Sequence, residues 1–384
     1  MILKNRQYIL IAGLLCAILS ACAPAPQKVA AEQVEANVYP GPPDEPRIAF
    51  ERVIMSSINV TGMSQGSALR YALTGVAESG GDGMGKPYAI AVHKGRIFVS
   101  DTVDRNVKVF DVPEKKFFLI KDVPAGELQK PLGIDVDGEG NLFVADATSR
   151  VIHVFDRDGK HLRKIGDGKQ FDRLSSVTVN KEGTLLYAID IGGVQSENHR
   201  IRVFDARTGE YQKDIGRRGT GDGEFNLPRD MAIGKDGRIY VVDSGNFRVV
   251  VLDKDGAFIK SFGKVGKALG DFARPKEIAA DTAGNIYVVD TAFGNFQIFT
   301  PDGELLMFIG TRSETNGPAR YMLPAGIYVD EDNRIYMGDQ WFRKVDIFRP
   351  IAVEAGVGWL YSGPKTTKSP AGAPTTVLPA PATR

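Results

Sequence analysis

Short runs of alternating hydrophobic and polar residues dominate the chain from about residue 84 to residue 349. Turns that contain Gly, Asp and Asn separate these runs, such as Lys-Asp-Gly at 235–237. In one representative stretch, the pattern predicts strands at 230–233, 238–242, 248–252 and 258–262. Alternation with a period of two residues, broken by such closely spaced turns, predicts antiparallel strands.

The four-stranded pattern recurs six times. Each copy begins at a proline, except the third copy, which begins at a leucine: Pro87, Pro131, Leu174, Pro228, Pro275 and Pro324. The second strand of each copy ends in an aspartate: Asp101, Asp146, Asp190, Asp243, Asp290 and Asp339. Four-stranded units repeated around a ring are typical of a β-propeller, so the predicted fold class is an all-β, six-bladed propeller.

Two motifs in the fourth copy resemble those of NHL repeats. They are Gly-Asn-Phe-Arg-Val at 245–249 and Pro-Arg-Asp-Met-Ala at 228–232. The resemblance extends over about residues 84–349 and implies an NHL-type propeller.

The sixth copy lacks its fourth strand, because the repeat breaks off at Pro350. A spare β run at 47–55 is predicted to supply that strand and close the ring. Apolar residues at helical spacing within 64–78 predict a short amphipathic helix in an insert at 61–80, before blade 1: Leu69, Ala72, Leu73 and Val76. The predicted propeller domain therefore spans 47–350.

The N-terminus combines a basic start at Lys4 and Arg6 with an uncharged, mostly apolar run at 8–19. The following Leu-Ser-Ala-Cys at 19–22 resembles a bacterial lipobox. The resemblance implies a lipoprotein signal peptide at 1–21 and acylation of Cys22, and Ala23 favours the outer membrane, facing the periplasm. A plain signal peptide with an Ala-x-Ala cleavage site is the alternative. Residues 22–46 are predicted to be a flexible Ala/Pro tether, and 351–384 a C-terminal extension that is disordered from about 363.

The composition of the chain argues against several classes of function. A formal net charge of +1 argues against a dedicated nucleic-acid binder. Cleavage before Cys22 leaves that residue as the only cysteine, so disulfides and Cys-ligated metals within one mature chain are excluded. The four histidines of the sequence do not form the channel cluster of the NHL-type peptide-amidating lyase.

Candidate binding residues fall in loops that share one end of the propeller, which we call the upper face. It consists of the second-to-third-strand turns and the connections between blades, and by analogy with other propellers it is the expected binding surface. The candidates are unusual positions of blades 3 to 6: Gln195, Glu197, Asn198, His199, Arg229, Asp230, Lys276, Glu277, Trp341 and Phe342.

The position two residues after each repeat start is expected at the entrance of the central channel. In six-bladed calcium lactonases such as paraoxonase and gluconolactonase, metal ligands come from comparable positions. Here only Asp230 and Glu277 offer carboxylates, beside the cations Arg229 and Lys276. Calcium takes six to eight oxygen ligands, so salt bridging or contact with a partner is favoured over a metal site, and no cofactor is expected.

These observations favour a non-catalytic protein- or ligand-binding scaffold, held by a lipid anchor at the bacterial envelope and monomeric. The alternatives are a calcium-dependent hydrolase, lactonase or lyase, and a binder of envelope polysaccharide or peptidoglycan. Lipoproteins of this type resemble ones encoded near multihaem cytochromes, so an electron-transfer cytochrome complex is one conceivable partner.

Overall fold

The computed structural model describes residues 37–62, 81–193 and 195–361. The predicted signal peptide, most of the tether, the insert from residue 63 and the extension from residue 362 lie outside these residues. The described chain is nearly all β, and its strands form six blades arranged as a β-propeller, which confirms the predicted fold class.

The N-terminal elements come first in the chain. They are β1 (Val38–Tyr39), β2 (Ile48–Ile54) and the short helix α1 (Ile58–Thr61). Blade 1 contains β3 (Pro87–His93), β4 (Arg96–Asp101), β5 (Asn106–Asp111) and β6 (Lys116–Ile120). A small hairpin of β7 (Asp122–Val123) and β8 (Gly126–Glu127) leads to blade 2.

Blades 2 and 3 repeat the four-stranded order. Blade 2 contains β9 (Pro131–Val136), β10 (Leu142–Asp146), β11 (Val151–Phe155) and β12 (His161–Ile165). Blade 3 contains β13 (Leu174–Val179), β14 (Leu185–Asp190), β15 (Arg200–Asp205) and β16 (Tyr211–Ile215).

Blades 4 to 6 complete the ring. Blade 4 contains β17 (Pro228–Ile233), β18 (Ile239–Asp243), β19 (Arg248–Leu252) and β20 (Phe258–Phe262). Blade 5 contains β21 (Pro275–Ala280), β22 (Ile286–Asp290), β23 (Asn295–Phe299) and β24 (Leu305–Ile309), and the parallel pair β25 (Thr311–Arg312) and β26 (Arg320–Tyr321) follows it. Blade 6 contains β27 (Pro324–Val329), β28 (Ile335–Asp339) and β29 (Lys344–Pro350).

The N-terminal strand closes blade 6, as predicted. Strand β2 pairs antiparallel with β29, from Ile48 opposite Pro350 to Ile54 opposite Val345. Strand β1 then pairs with β2, so this sheet has five strands. The sheet therefore begins before the predicted domain boundary at residue 47, within the segment expected to be a tether.

The hydrophobic core lies between neighbouring blades. All five residues of β18 are buried, because its two faces contact the blades on either side. Val241 and Leu252 of blade 4, for example, belong to the same cluster as Ile189 and Val203 of blade 3. Radial packing of this kind buries both faces of each sheet and leaves only the outermost strands with solvent-exposed residues.

The six repeated aspartates are structural, as the recurrence at a turn predicts. All are buried, with at most 1% exposure. Asp290 accepts hydrogen bonds from the backbone N–H groups of Ala273 and Arg274 in the preceding connection, and of Ala292 and Phe293 in its own turn. Buried carboxylates that accept several backbone N–H groups satisfy donors that the turns would otherwise leave unpaired.

Two faces result from the alternating strand direction. The upper face is as defined above, and the lower face consists of the first-to-second-strand and third-to-fourth-strand turns together with residues 351–361. Within the described ranges, no helix combines the length and the apolarity required to cross a bilayer.

Candidate functional site

A bulge near the start of every first strand shapes the upper end of the central channel. The register with the second strand shifts just after the repeat start, as between Pro228 and Met231 and between Pro275 and Ile278. A bulge re-aims side chains at the place where it occurs. Here it affects the position two residues after the repeat start, occupied by Ala89, Gly133, Ser176, Asp230, Glu277 and Gly326, and we call these six residues the channel ring.

The ring is tight, because neighbouring first strands approach closely. A Cβ atom added at Gly133 would lie 2.3 Å from the Oγ of Ser176, and one at Gly326 would lie 2.9 Å from the Cα of Ala89. The two glycines are therefore required by this close approach, and the ring is the narrow end of the channel.

The acidic members of the ring contact each other. The Ser176 hydroxyl donates to the Oδ1 of Asp230 at 2.7 Å, and the Ile278 N–H donates to its Oδ2 at 3.1 Å. The side chains of Asp230 and Glu277 also hydrogen-bond with each other. Asp230 is 8% exposed and Glu277 is 5% exposed, so the sequence candidates are neighbours in a largely buried cluster.

Burial decides the protonation of this pair. It raises the pKa of Glu277 well above its ordinary range, and the negative charge of Asp230 raises it further. Burial also raises the pKa of Asp230, although hydrogen bonds from Ser176 and Ile278 oppose that effect. Two adjacent carboxyls cannot both ionise without strong repulsion, so the pair holds a proton between them, donated by Glu277.

Two basic residues lie above the ring. The Nζ of Lys276 lies 4.2 Å from the ring centroid of Tyr88, which joins blade 5 to blade 1 through a cation–π contact. Burial lowers the pKa of Lys276 to about 8, and the nearby Arg229 lowers it as well, against the opposing effect of Glu277. Lys276 and Tyr88 thus meet over the upper end of the channel.

A cavity of about 790 Å³ lies below the ring. First strands of all six blades contribute to its lining, which reaches Asp230 and Glu277 at one end and the lower-face residues Lys181, Lys254 and Glu331 at the other. Tyr88, Arg229 and Lys276 do not line it. The cavity therefore opens on the lower face, opposite to the expected binding surface.

The blade 3 candidates lie on the upper face, in the turn between β14 and β15. Gln195 and Glu197 are exposed, whereas the amide of Asn198 donates to the Oδ2 of Asp172 at 2.8 Å. His199 is buried, and its Nδ1 accepts the N–H of Leu227 at 3.1 Å. The structure does not bring these residues to the channel ring, so they form a separate part of the upper face.

The blade 6 candidates differ from each other. Trp341 projects into solvent, whereas Phe342 is half-buried with the Nζ of Lys344 5.9 Å from its ring centroid. Trp341 alone of the two is free to act as an interface anchor.

Sequence reasoning missed three residues of this site. Tyr88 and Tyr328 lie on first strands, and Asp135 is the cavity residue at which burial raises the pKa to about 6. A signal existed for Tyr88 and Asp135, since aligned copies carry a smaller residue at some of those positions, such as Ala325 and Ala232 respectively. Contact between Tyr88 and Lys276 was not predictable, because it joins blades that are not neighbours in sequence.

Asp230 and Glu277 are the two carboxylates that the sequence offered for calcium. Another carboxylate of the cavity, Asp135, accepts hydrogen bonds from the N–H groups of Val136 and Val179. Among residues 37–62, 81–193 and 195–361, no group of three or more His, Cys, Asp or Glu side chains is placed to hold a metal ion.

Comparison with known proteins agrees with the fold. The family model for the NHL repeat matches residues 225–252. Over 136 residues the chain is 26% identical to Protein brain tumor of Drosophila melanogaster, and the match covers 35% of this chain but only 12% of that protein. The chain therefore spans a small part of the curated relative.

Solved structures with a similar fold include two enzymes. The gluconolactonase XC5397 of Xanthomonas campestris superposes with a TM-score of 0.53 at 17% identity, covering 70% of this chain and 86% of that one. A streptogramin B lyase superposes with a TM-score of 0.52 at 11% identity, covering 70% of this chain and 94% of that one. Identities this low show a shared fold alone. The repeats, the blade geometry and the matched motif together make this chain a six-bladed β-propeller that contains an NHL repeat.

Proposed function

We propose that the chain is a non-catalytic binding propeller whose upper face recognises an acidic protein partner at the bacterial envelope. One observation carries the proposal. The four most exposed large apolar side chains of the described residues all lie in upper-face loops: Val103 (62%), Val265 (66%), Leu269 (65%) and Trp341 (62%). Apolar side chains this exposed, grouped on one face, are typical of a protein interaction surface.

The distribution of these residues favours a macromolecule over a small ligand. Val103 and Trp341 occupy equivalent turns of the adjacent blades 1 and 6, whereas Val265 and Leu269 lie in the connection between blades 4 and 5. A surface that extends over four blades suits a partner with a broad contact area, and an exposed Trp is the side chain most often found as an interface anchor.

The charge of the same loops supports an acidic partner. Exposed basic residues accompany the apolar ones: Arg105 follows Val103, Lys264 and Lys267 flank Val265, and Arg343 follows Trp341. Basic groups near an apolar contact steer a negatively charged partner and suppress positively charged ones. Attachment through an acylated Cys22, as the lipobox resemblance implies, would hold this surface at the membrane that carries the partner.

A capture experiment tests the proposal. Cross-linked envelopes are probed with the wild type, with Val103→Ser/Trp341→Ala, and with the matched lower-face variant Ile351→Ser/Val357→Ser, which also removes two exposed apolar side chains. We expect one protein to be captured by the wild type and the lower-face variant, and to be lost with the upper-face variant and at high salt. Equal capture by the two variants, or capture of peptidoglycan rather than protein, would contradict the proposal.

The anchor is tested separately. Cys22→Ser should leave the chain unprocessed or release it from membranes, because multiple acyl chains bind a bilayer far more firmly than one. Unchanged membrane partitioning of this variant would remove the lipoprotein part of the proposal without affecting the upper face.

The calcium-dependent hydrolase, lactonase or lyase is the second candidate, and the Asp230–Glu277 pair is the feature that favours it. Such an enzyme would be stabilised by calcium, because ligand binding to the folded state raises the melting temperature. A melting transition that shifts with calcium and EDTA, and loses that shift in Asp230→Asn, would favour the enzyme over the binding propeller.

A further inference from the structure

The lower-face cavity is not used by the proposed upper-face interaction. Its volume of about 790 Å³ falls within the range of small-molecule sites, roughly 300–1,000 Å³. The channel ring narrows its upper end, and Lys276 and Tyr88 meet above that ring. A small molecule would therefore enter from the lower face and reach the acidic pair at the far end.

Glu277 has an unusual hydrogen-bonding position at that end. It is 5% exposed and lines the cavity, yet its hydrogen-bond partner among the described residues is another acidic group, the carboxyl of Asp230. No N–H group and no hydroxyl group of the described chain donates to it. A buried carboxyl normally has several donors, so Glu277 retains free acceptor positions that a ligand in the cavity can fill.

The cavity wall is mostly apolar. Isoleucine, valine and methionine side chains from all six blades surround the space between the acidic pair and the opening: Ile90, Ile134, Val177, Met231, Ile278 and Ile327. Asp135 adds a third carboxyl part of the way down, and its Oδ1 and Oδ2 already accept two backbone N–H groups. A bound molecule would thus contact hydrocarbon along its body and carboxyl groups at its tip.

The opening is acidic as well. Acidic residues outnumber basic residues among the side chains that line its lower end. The acidic ones are Glu182, Asp255, Asp281, Asp330 and Glu331, and the basic ones are Lys181, Lys235 and Lys254. An opening lined by an excess of one charge attracts ligands of the opposite charge and repels others.

From these observations we propose that the cavity binds a small organic cation, with a primary ammonium group against Asp230 and Glu277 and an apolar body along the wall. Three donors of an ammonium group match the free acceptor positions of Glu277. A carboxylate or phosphate would face repulsion from Asp135, Asp230 and Glu277, because Arg229 and Lys276 lie outside the lining. A neutral alcohol would supply one donor and no charge. This inference is independent of the upper-face proposal.

The proton held by the acidic pair makes binding depend on pH. An ammonium group competes with that proton for Asp230 and Glu277, so affinity rises as the proton is lost at higher pH. The charged and titratable groups around the pair are Lys276 and Arg229 above it, Tyr88 across the channel and Asp135 below it.

The test uses three matched probes, benzylamine, benzyl alcohol and benzoate, each titrated calorimetrically into the wild-type protein. We expect benzylamine to bind at least about tenfold more tightly than benzyl alcohol, and benzoate not to bind. A charge-assisted hydrogen bond supports an effect of about tenfold to one hundredfold. Benzylamine should also bind more tightly as pH rises from about 5.5 to about 8, because burial raises the pKa of Glu277 and an ammonium group competes with its proton.

Two cavity variants and one control locate the site. Glu277→Gln should weaken benzylamine binding by about tenfold or more and abolish its pH dependence. Asp135→Asn, which leaves the ring intact, should weaken it less and serves if Glu277→Gln does not fold. Trp341→Ala, on the upper face and outside the lining, should leave benzylamine binding unchanged. Melting curves verify that each variant is folded.

Several results would overturn the proposal. Equal or tighter binding of benzoate, unchanged benzylamine affinity in both cavity variants, or no binding of any probe at about 10 mM would each do so. A melting shift with calcium that is larger than that with benzylamine, and lost in Glu277→Gln, would assign the pair to a metal instead.

Discussion

The upper and lower faces of this propeller are built from the same six repeats but carry opposite chemistry. Upper-face connections project apolar and basic side chains, with Trp341 and Val265 the most prominent. Lower-face turns are mainly acidic and surround the opening of a cavity. The repeat therefore fixes where each loop begins and ends, whereas the side chains that project from the loops vary.

Loop anchoring also differs between the two faces. Each upper-face connection is held by a fully buried aspartate such as Asp290, which accepts four backbone N–H groups. On the lower face, several third-to-fourth-strand turns are held by a half-buried aspartate within the turn itself, such as Asp253, which accepts the N–H groups of Asp255 and Ala257. Water can replace the carboxylate as hydrogen-bond acceptor at the half-buried Asp253 but not at the buried Asp290.

The largest effect is expected from opening the ring, on which both faces depend. A chain beginning at Ile58 loses β2, and with it the buried Ile48 and Ile54, worth about 1.5–3 kcal/mol each. It also loses Glu51, whose carboxylate pairs with the buried Arg334 guanidinium at 2.7 Å, which leaves Asp332 as the remaining acidic partner of that buried charge. We expect insoluble protein or a much lower melting temperature. A chain beginning at Asn37 is the control, and equal melting temperatures for the two would show that β2 does not close the ring.

The second prediction sharpens the difference in anchoring. Asp290→Ala should lower the free energy of unfolding by about 3 kcal/mol or more, because it leaves buried N–H donors of two segments without an acceptor. Asp253→Ala should cost about 1 kcal/mol, because solvent reaches its turn. Denaturant unfolding of both variants measures the contrast, and similar losses would mean that the two faces are anchored equally.

The third prediction concerns pH and has the smallest effect. Burial raises the pKa of Asp135, in the cavity, to about 6, so the fold favours its protonated form. The stabilisation is therefore complete below the ordinary Asp pKa near 4 and is lost as pH rises through about 6. Hydrogen bonds from Asn198 and Ser196 lower the pKa of Asp172 on the upper face, so its contribution is present at neutral pH and is lost as pH falls through the lowered pKa.

Melting curves from about pH 3 to about pH 8 test this contrast. As pH rises, the stability of the wild type relative to Asp135→Asn should fall by about 1–3 kcal/mol, and the melting temperature of the wild type should fall relative to that of the variant. As pH rises, the stability of the wild type relative to Asp172→Asn should increase. The change should be smaller than for Asp135→Asn, because Asp172 is exposed. Slopes of the same sign for both variants would contradict the assigned environments.

Local sequence predicted much of the fold correctly. The spacing from Pro228 to Asp243, repeated six times, predicted the blades, and the missing strand after Pro350 predicted closure by β2. The same periodicity predicted the structural role of the repeated aspartates. It placed the propeller boundary too late, because β1 is only two residues long and follows a Pro- and Ala-rich segment without alternation.

The site was predicted less completely. Sequence identified Asp230, Glu277, Arg229 and Lys276 as exceptional, because each departs from the other copies of its repeat. It did not predict that the acidic pair of the ring would reach the cavity while the basic pair would lie above the ring. Adjacent residues of a strand point in different directions, and the bulge at the repeat start sets which of them reaches the cavity.

By itself, the sequence determined what repeats: six units, their strands, their turns and the buried aspartate that ends each second strand, because hydrophobic periodicity and turn chemistry are local properties. The tertiary structure alone decided what the units form together. It determined that Tyr88 of blade 1 meets Lys276 of blade 5, that the channel narrows at Gly133 and Gly326, and that the cavity opens on the lower face. These features depend on distances between residues far apart in the chain, which are fixed only when the ring closes.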